Sequence, residues 1–310
     1  MLLLAPKEMD GRRLDRCLMA YLNGAPPSFV QKILRKKRVR LNGRRASGGE
    51  RVAGGDEIAL HLSEATVGAF RDCGPAAEAG PMPEIVYEDD RMLVANKPAG
   101  MGSHSGEGHL LGRLLFYLQS KGEYPPGAAF APGLANRLDT NTSGLVICGK
   151  TPQGLQKCAA WFRDGKIAKE YLAVAEGHAE TATLRGYHKK DAARRMALVS
   201  PKPRPGGPES EIVTACTVLA RRGGRSLLLV SPREGRFHQI RAHLASAGHP
   251  LTGDRKYAAP GTSHPKGVKF QLLHCRRLSV PEEGAQWDAA PPGPFADAVA
   301  EMFGGRALDF

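Results

Sequence analysis

The sequence predicts an α+β protein with a small N-terminal module and a larger body behind it. Apolar residues at helical spacing, followed by a hairpin signal, fill the first fifth of the chain. A stretch rich in Ala, Gly, Glu and Pro comes next, and strand-like apolar runs then continue to Pro281. The chain has 310 residues, which is long enough for two units with separate cores. We therefore expect a module over 11–62, a linker over 63–83 and a body over 84–310.

The module predicts two helices followed by a hairpin. Apolar residues recur at helical spacing over 14–22 and again over 29–34. Val39-Arg40-Leu41 alternates like a strand, and Asn42-Gly43 after it is a strong signal for a hairpin turn. A further strand is expected at 58–60, which would close a small sheet against the helices.

Positive charge is concentrated in this module. The whole chain has 44 Lys and Arg against 31 Asp and Glu, and the residues up to Leu62 hold 13 against 6. Such a run can be no more than a solvated face, but here it lies on one helix and the strand after it, which favours a surface that contacts phosphates. The candidate RNA-binding residues are Lys32, Arg35, Lys36, Lys37, Arg38 and Arg40.

Targeting and redox features indicate a cytoplasmic protein. The N-terminus lacks a basic segment before its short apolar run, and no stretch approaches the roughly 20 apolar residues of a membrane span. The cysteines form no CxxC pair and are expected to be buried thiols of a reducing compartment. They are Cys17, Cys73, Cys148, Cys158, Cys216 and Cys275.

Asp139 is the first candidate for chemistry. It lies in a polar segment, 136–144, that leads directly into a strongly apolar strand. An acid in a loop at the edge of a core strand is held by the scaffold while one side stays open. The alternative is that Asp139 only caps its turn through Thr142 or Ser143.

A second cluster, 235–243, supplies a cation. If it is helical, Phe237 faces the core while His238 and Arg241 share another face. Arg241 would hold a carboxylate ionised and oriented. His238 and His243 have no carboxylate or cysteine at metal-ligand spacing, so no metal site is predicted. A second basic stretch, 185–195, is expected to be an exposed loop, either solvated or in contact with RNA.

The module resembles the S4 RNA-binding domain, which implies binding to folded RNA by shape and phosphate contacts. The matching residues are Arg13-Leu14-Asp15, Ile33-Leu34-Arg35-Lys36, Val39-Arg40-Leu41-Asn42-Gly43 and Ala53-Gly54-Gly55-Asp56-Glu57-Ile58.

The body resembles the RluA-type pseudouridine synthases and, with its S4-like module, is most similar to the RluC-like enzymes of large-subunit ribosomal RNA. The matching blocks are Asn96-Lys97-Pro98-Ala99-Gly100; Arg137-Leu138-Asp139 with Thr142-Ser143-Gly144-Leu145; Lys169-Glu170-Tyr171-Leu172-Ala173; Gly235-Arg236 with His238-Gln239-Ile240-Arg241-Ala242-His243, then Gly248-His249-Pro250, Gly253-Asp254 and Tyr257; and Leu273-His274-Cys275. This resemblance implies a mixed, mainly antiparallel sheet flanked by helices. It also implies isomerisation of uridine to pseudouridine, a reaction that requires no cofactor or metal.

The resemblance assigns roles residue by residue. Asp139 would be the catalytic aspartate, Tyr171 would stack on the target base, and Arg241 would pair with Asp139. Arg137 would help to displace the target uridine from its helix. The chain departs from the family at Asn136, where a histidine is usual, and any role of that histidine is in doubt here.

Other functions remain as alternatives. Tyr171 lies in an alternating strand and, taken alone, is more typical of ordinary core. One alternative is a non-catalytic RNA-binding or ribosome-assembly protein, which would keep the fold without the reaction. A second is a glycosylase, which would release free uracil. A third is the same isomerisation with transfer RNA as the substrate. The expected partner is structured RNA, with no membrane and no nucleotide cofactor, and we expect a monomer.

Overall fold

A computed structural model of the chain describes residues 1–6, 9–22, 25–71, 79–125, 128, 130–204, 209–258 and 265–308. These residues form a four-stranded sheet in the module and an eleven-stranded sheet in the body. None of the helices they contain is both long and apolar enough to cross a membrane. Cys73 lies outside the described residues, and the prediction of buried thiols is confirmed for the other five cysteines, which are Cys17, Cys148, Cys158, Cys216 and Cys275.

The module consists of two helices packed on its sheet. Its elements are β1 (Leu2–Leu4), α1 (Leu14–Tyr21), α2 (Pro27–Arg35), β2 (Val39–Leu41), β3 (Arg44–Arg45) and β4 (Glu57–Leu60), with strand order β1-β4-β2-β3. Leu18, Leu34 and Leu60 meet in one buried core because the helical and strand periodicities face each other. The predicted helices, hairpin and closing strand are confirmed. Strand β1 was not predicted; it precedes residue 11 and pairs Leu3 with Ile58.

The hairpin turn fixes the direction of the basic strand. Asn42 and Gly43 have φ angles of 48° and 75°, as the preferred two-residue hairpin turns require. Asn42 also donates to Asp56 (2.8 Å) and accepts from the N–H of Glu57 (2.8 Å). We call six exposed residues at the end of α2, in the following turn and on β2 the basic face. They are Lys32, Arg35, Lys36, Lys37, Arg38 and Arg40.

The predicted linker, 63–83, begins with a helix rather than with irregular chain. Helix α3 spans Glu64–Arg71, and Val67 is buried in the core of the module. The ring of Phe70 lies 4.4 Å from that of Phe29 on α2. An apolar side chain every third or fourth residue was therefore enough to dock a short helix, although the composition is typical of a linker. Residues 72–78 lie outside the described part of the chain.

The body is built on a mixed, mainly antiparallel sheet, which confirms the predicted fold class. Its strands are β5 (Glu84–Glu88), β6 (Met92–Lys97), β7 (Gly133–Leu134), β8 (Ser143–Gly149), β9 (Ala168–Glu176), β10 (Ala182–Asp191), β11 (Met196–Ser200), β12 (Ser210–Arg222), β13 (Arg225–Pro232), β14 (Leu273–Val280) and β15 (Ala285–Asp288). The order is β11-β10-β12-β13-β9-β14-β8-β6-β5, with β15 beside β14 and β7 beside β8. Only β14 and β8, among the described pairs, run parallel.

Helices cover both faces of this sheet. The helices of the body are α4 (Leu110–Ser120), α5 (Pro152–Arg163), α6 (Gln239–Ser246) and α7 (Gly293–Phe303). Along β9, Tyr171 and Ala173 enter the core that α4, α5 and α6 share, whereas Leu172 enters the core formed with α7. The predicted alternation along β9 is confirmed. Helix α7 buries Phe295 and Val299 in that second core.

A row of three residues across the central strands positions the functional loop. Cys275 of β14 pairs with Gly144 of β8 on one side and with Tyr171 of β9 on the other. Gly144 has φ 117°, and a Cβ there would lie 2.3 Å from the carbonyl oxygen of Cys275. A glycine is therefore required for the strands to approach this closely. This approach brings the start of β8, and the loop before it, next to Tyr171.

Candidate active site

Asp139 lies in the loop that leads into β8, and backbone hydrogen bonds hold this loop. The N–H of Gly100 donates to the carbonyl of Thr140 (2.8 Å), and the N–H of Thr142 donates to the carbonyl of Asp139 (3.0 Å). The turn is thus closed by the backbone of Asp139, and its carboxylate points elsewhere. The alternative in which that carboxylate caps Thr142 or Ser143 does not match this geometry. The side chain is 24% exposed and is therefore accessible to a ligand.

Lys97 anchors the same loop from beneath. It is fully buried at the end of β6, and its Nζ donates to the carbonyls of Pro98 (2.9 Å), Met101 (2.8 Å) and Thr140 (3.1 Å). Burial lowers the pKa of Lys97 to about 7, yet three carbonyl acceptors match the three N–H donors of an ammonium group. Lys97 thereby ties the residue after Asp139 to the 97–101 segment, a role that the sequence did not predict.

We expect Lys97→Met to lower the free energy of unfolding by roughly 3 kcal/mol, because three buried carbonyls lose their donor. Urea denaturation followed by circular dichroism would measure this. The matched control is Lys157→Met on α5, whose ammonium is 52% exposed beside Glu283 and should change stability by less than about 0.5 kcal/mol. Equal effects of the two substitutions would contradict the anchoring role of Lys97.

Arg241, on α6, bridges two carboxylates. Its Nε and Nη2 donate to Asp254 at 2.7 and 2.9 Å, and its Nη1 donates to Oδ2 of Asp139 at 2.8 Å. Asp254 is fully buried and also accepts from the N–H of Lys256 (3.0 Å). Although burial opposes the charge, the hydrogen bonds to Asp254 and the nearby carboxylates raise the pKa of Arg241. Asp254 therefore fixes the guanidinium, whose Nη1 faces Asp139.

Tyr171 presents a protonated phenol near this pair. It is 9% exposed on β9, and its hydroxyl contacts the buried thiol of Cys275. Burial raises the pKa of Tyr171 well above its usual range, so the hydroxyl keeps its proton at neutral pH. Tyr171 and Asp139 line the same cavity.

The cavity is large and open, and its lining is rich in basic residues. Its volume of about 1400 Å³ exceeds the range of roughly 300–1,000 Å³ that is usual for small-molecule sites. Arg137 is exposed at this cavity. Besides Arg137 and Arg241, the Lys and Arg residues of the lining are Arg163, Lys169, Lys190, Arg233, Arg236, Arg255, Lys256 and Lys269. This lining suits a polyanion longer than one nucleotide.

The predicted site residues fall into two groups. Asp139, Tyr171, Arg241 and Arg137 come together at the cavity, while the basic face lies on the module. Asn136, which stands where the family has histidine, donates to the carbonyl of Leu145 (3.2 Å) and accepts from the N–H of Ile147 (2.8 Å). Its amide therefore pairs with the backbone of β8.

Two expectations near the site are wrong. Helix α6 begins only at Gln239, so Phe237 does not face the core but is 37% exposed and stacks on His238 at 3.7 Å. The 185–195 stretch is not a loop, because most of it belongs to β10 and the turn before β11. The alternation of buried and exposed positions could not be recognised in the sequence, because the buried positions are Gly186 and His188 rather than large apolar residues.

Comparison with known families agrees with this fold. A family model described as RNA pseudouridylate synthase matches residues 91–246, the part of the chain that carries Asp139, Tyr171 and Arg241. The S4 domain model matches residues 12–58. The chain therefore belongs to the RNA pseudouridylate synthase family and is an RNA pseudouridine synthase with an N-terminal S4 domain.

Its relatives extend over both parts of the chain. The Ribosomal large subunit pseudouridine synthase C of Vibrio cholerae is 32% identical over 283 residues, which cover 88% of this chain and 86% of the relative. The protein of the same name from Escherichia coli is 30% identical over 286 residues, with the same two coverages of 88% and 86%. Among solved structures, Human RNA Pseudouridylate Synthase Domain Containing 1 gives a TM-score of 0.59 at 21% identity, over 73% of this chain and 90% of that one. This structural likeness concerns the fold alone.

Proposed function

We propose that this enzyme isomerises specific uridines of large-subunit ribosomal RNA to pseudouridine, with Asp139 as its catalytic residue. The observation that carries the assignment is the position of the Asp139 carboxylate, which Arg241 holds at a basic cavity that Tyr171 also lines. Relatives named for the large ribosomal subunit, similar over 88% of the chain, support the choice of RNA.

The geometry suits the bond changes of this isomerisation. The bond from ribose C1′ to base N1 breaks, and a bond from C1′ to C5 forms, while the RNA keeps its mass. Asp139 would attack C1′ to give a sugar ester, or would remove a sugar proton to give a glycal-like intermediate. Both routes need an ionised carboxylate, and Arg241 donates a hydrogen bond to Asp139 at 2.8 Å. Tyr171 would stack on the uracil and move the proton at C5.

The remaining surfaces would bind and open the RNA. Arg137 would displace the target uridine into the cavity, and the basic face would contact phosphates. We further propose that the chain is divided into the module, a linker and the catalytic body (84–310), with β1 and α3 included in the module. The enzyme would act in the cytoplasm as a monomer without a nucleotide cofactor.

Neutralising part of the basic face should weaken RNA binding and its dependence on salt. For Lys32, Lys36 and Arg38 changed together to Gln, we expect the slope of log affinity against log salt to fall by about 2, because up to three phosphate contacts are lost. Fluorescence anisotropy over a salt series would measure the slope. The control changes Lys157, Lys166 and Arg222 to Gln, since these are exposed and lie outside the cavity lining. An equal loss in this control would show that only net charge matters.

The proposed substrate is tested in cells that lack the protein. Pseudouridines in ribosomal RNA would be mapped by carbodiimide labelling and primer extension, with and without the wild-type gene restored. Specific sites that vanish and return would support the proposal and identify the uridines. An unchanged ribosomal map would overturn the choice of RNA, and transfer RNA would be mapped next. Release of free uracil by the purified protein would instead indicate a glycosylase.

A further inference from the structure

His238 lies between Asp139 and Tyr257, and both of its ring nitrogens are accounted for. Its Nε2 is 3.7 Å from Oδ2 of Asp139, and its Nδ1 is 2.9 Å from the hydroxyl of Tyr257. The side chain is only 6% exposed. The ring is therefore positioned as a bridge from the tyrosine to the candidate catalytic carboxylate.

The hydrogen bonds around Tyr257 favour one tautomer of the His238 ring. The N–H of Ala197 donates to the hydroxyl oxygen of Tyr257 at 2.7 Å, which leaves the phenol hydrogen free to point at Nδ1 of His238. Nδ1 then accepts, so the proton of the neutral ring lies on Nε2 and faces Asp139. Burial lowers the pKa of His238 to about 4, which keeps the ring neutral near pH 7.

The backbone at His238 is held in an unusual conformation. Its φ is 54°, in the left-handed region that glycine and asparagine adopt most easily. The ring is fixed there by the parallel ring of Phe237 at 3.7 Å and the edge-on ring of Tyr257 at 5.7 Å. Such local strain is characteristic of functional sites, and here it aims one N–H at a carboxylate.

We propose that His238, with its tautomer set by Tyr257, is a positioning residue that works with Arg241 to hold one oxygen of the Asp139 carboxylate and leave the other to act on the ribose. Arg241 Nη1 and His238 Nε2 both approach Oδ2, so Oδ1 is the oxygen left for the reaction. The gap of 3.7 Å needs to close by less than about 1 Å to become a hydrogen bond, and such contacts often tighten when substrate binds. This inference rests on the proposed catalytic role of Asp139.

Two substitutions of His238 separate the N–H donor from the backbone conformation. Gln places an amide N–H near the position of Nε2, whereas Asn is too short to reach Asp139 but adopts a left-handed φ more easily. We expect His238→Gln to retain at least several-fold more single-turnover activity than His238→Asn, with both binding RNA like the wild type. If Asn is as active as Gln or better, His238 serves only the backbone, and the inference is overturned.

Tyr257→Phe tests the tautomer. It keeps the ring that lies 5.2 Å from the guanidinium carbon of Arg241 and removes only the hydroxyl. The proton of His238 can then move to Nδ1, so we expect the single-turnover rate to fall about tenfold while the Kd for RNA changes less than twofold. Tyr87→Phe, which removes an exposed hydroxyl bound to Asp89 on the opposite edge of the sheet, should leave the rate unchanged.

Nitrogen-15 spectra of the histidine rings give a readout that is independent of activity. The ring signals of His238, assigned by their loss in His238→Gln, should show a protonated Nε2 in the wild type and a changed tautomer balance in Tyr257→Phe. A protonated Nδ1 in the wild type would overturn the inference. If the wild type makes no pseudouridine, the proposed function fails instead, whatever the spectra show about the tautomer.

Discussion

Asp139→Asn will abolish pseudouridine formation while leaving the folded protein and its RNA binding intact. The amide has nearly the shape of the carboxylate but can neither attack C1′ nor remove a sugar proton. We expect the single-turnover rate to fall by at least about 10⁴-fold, the scale seen when a catalytic residue that acts as part of a unit is removed. The Kd for RNA should change less than threefold, since the basic surfaces are untouched. Pseudouridine formation would be followed by carbodiimide labelling of a defined transcript.

The control for this substitution removes a carboxylate elsewhere. Asp288 on β15 pairs with Arg277 at 2.6 Å and is 44% exposed, so Asp288→Asn should be fully active. In cells, Asp139→Asn should fail to restore any site that the wild type restores. Restoration of those sites by the variant would show that Asp139 is not catalytic, even if the enzyme is a pseudouridine synthase.

The sequence predicted those site residues that lie in a recognisable motif or next to a recognisable strand. Asp139 could be placed because a polar loop runs into an apolar strand. The alternating strand of Tyr171 is equally typical of core, and the family resemblance was needed to assign it to the site. The partnership of Arg241 with Asp139 required the family resemblance, since 102 positions separate them in the chain. Local pattern carries no information about which distant residues a sheet brings together.

Other features could not be predicted because tertiary packing decides them. The left-handed conformation of His238 delays the start of α6 and turns Phe237 outward, yet no glycine or asparagine marks the position. Lys97 and Asp254 appear in the matching sequence blocks, but their roles could not be predicted. A buried charge needs hydrogen-bond partners, and only the fold shows that Lys97 meets backbone carbonyls and Asp254 meets Arg241. Strand β1 is three residues long, and its pairing with β4 is what makes it a strand.

Arg241→Met should damage both stability and activity, for two different reasons. Asp254 is fully buried and would lose its bidentate partner, which typically costs about 3–5 kcal/mol. Asp139 would lose the donor at 2.8 Å that orients it, and we expect the single-turnover rate to fall at least about 100-fold. Urea denaturation and the transcript assay would measure the two effects separately.

A second substitution tells these effects apart. In Arg241→Met with Asp254→Asn, the unpaired buried charge is gone, and the asparagine oxygen can still accept from the N–H of Lys256. We therefore expect the double variant to regain at least about 2 kcal/mol of the lost stability without regaining activity. If it regains activity in proportion to stability, Arg241 acts through the fold alone. If it regains neither, Asp254 is not the source of the instability, and the bridge from Asp254 through Arg241 to Asp139 does not work as a unit.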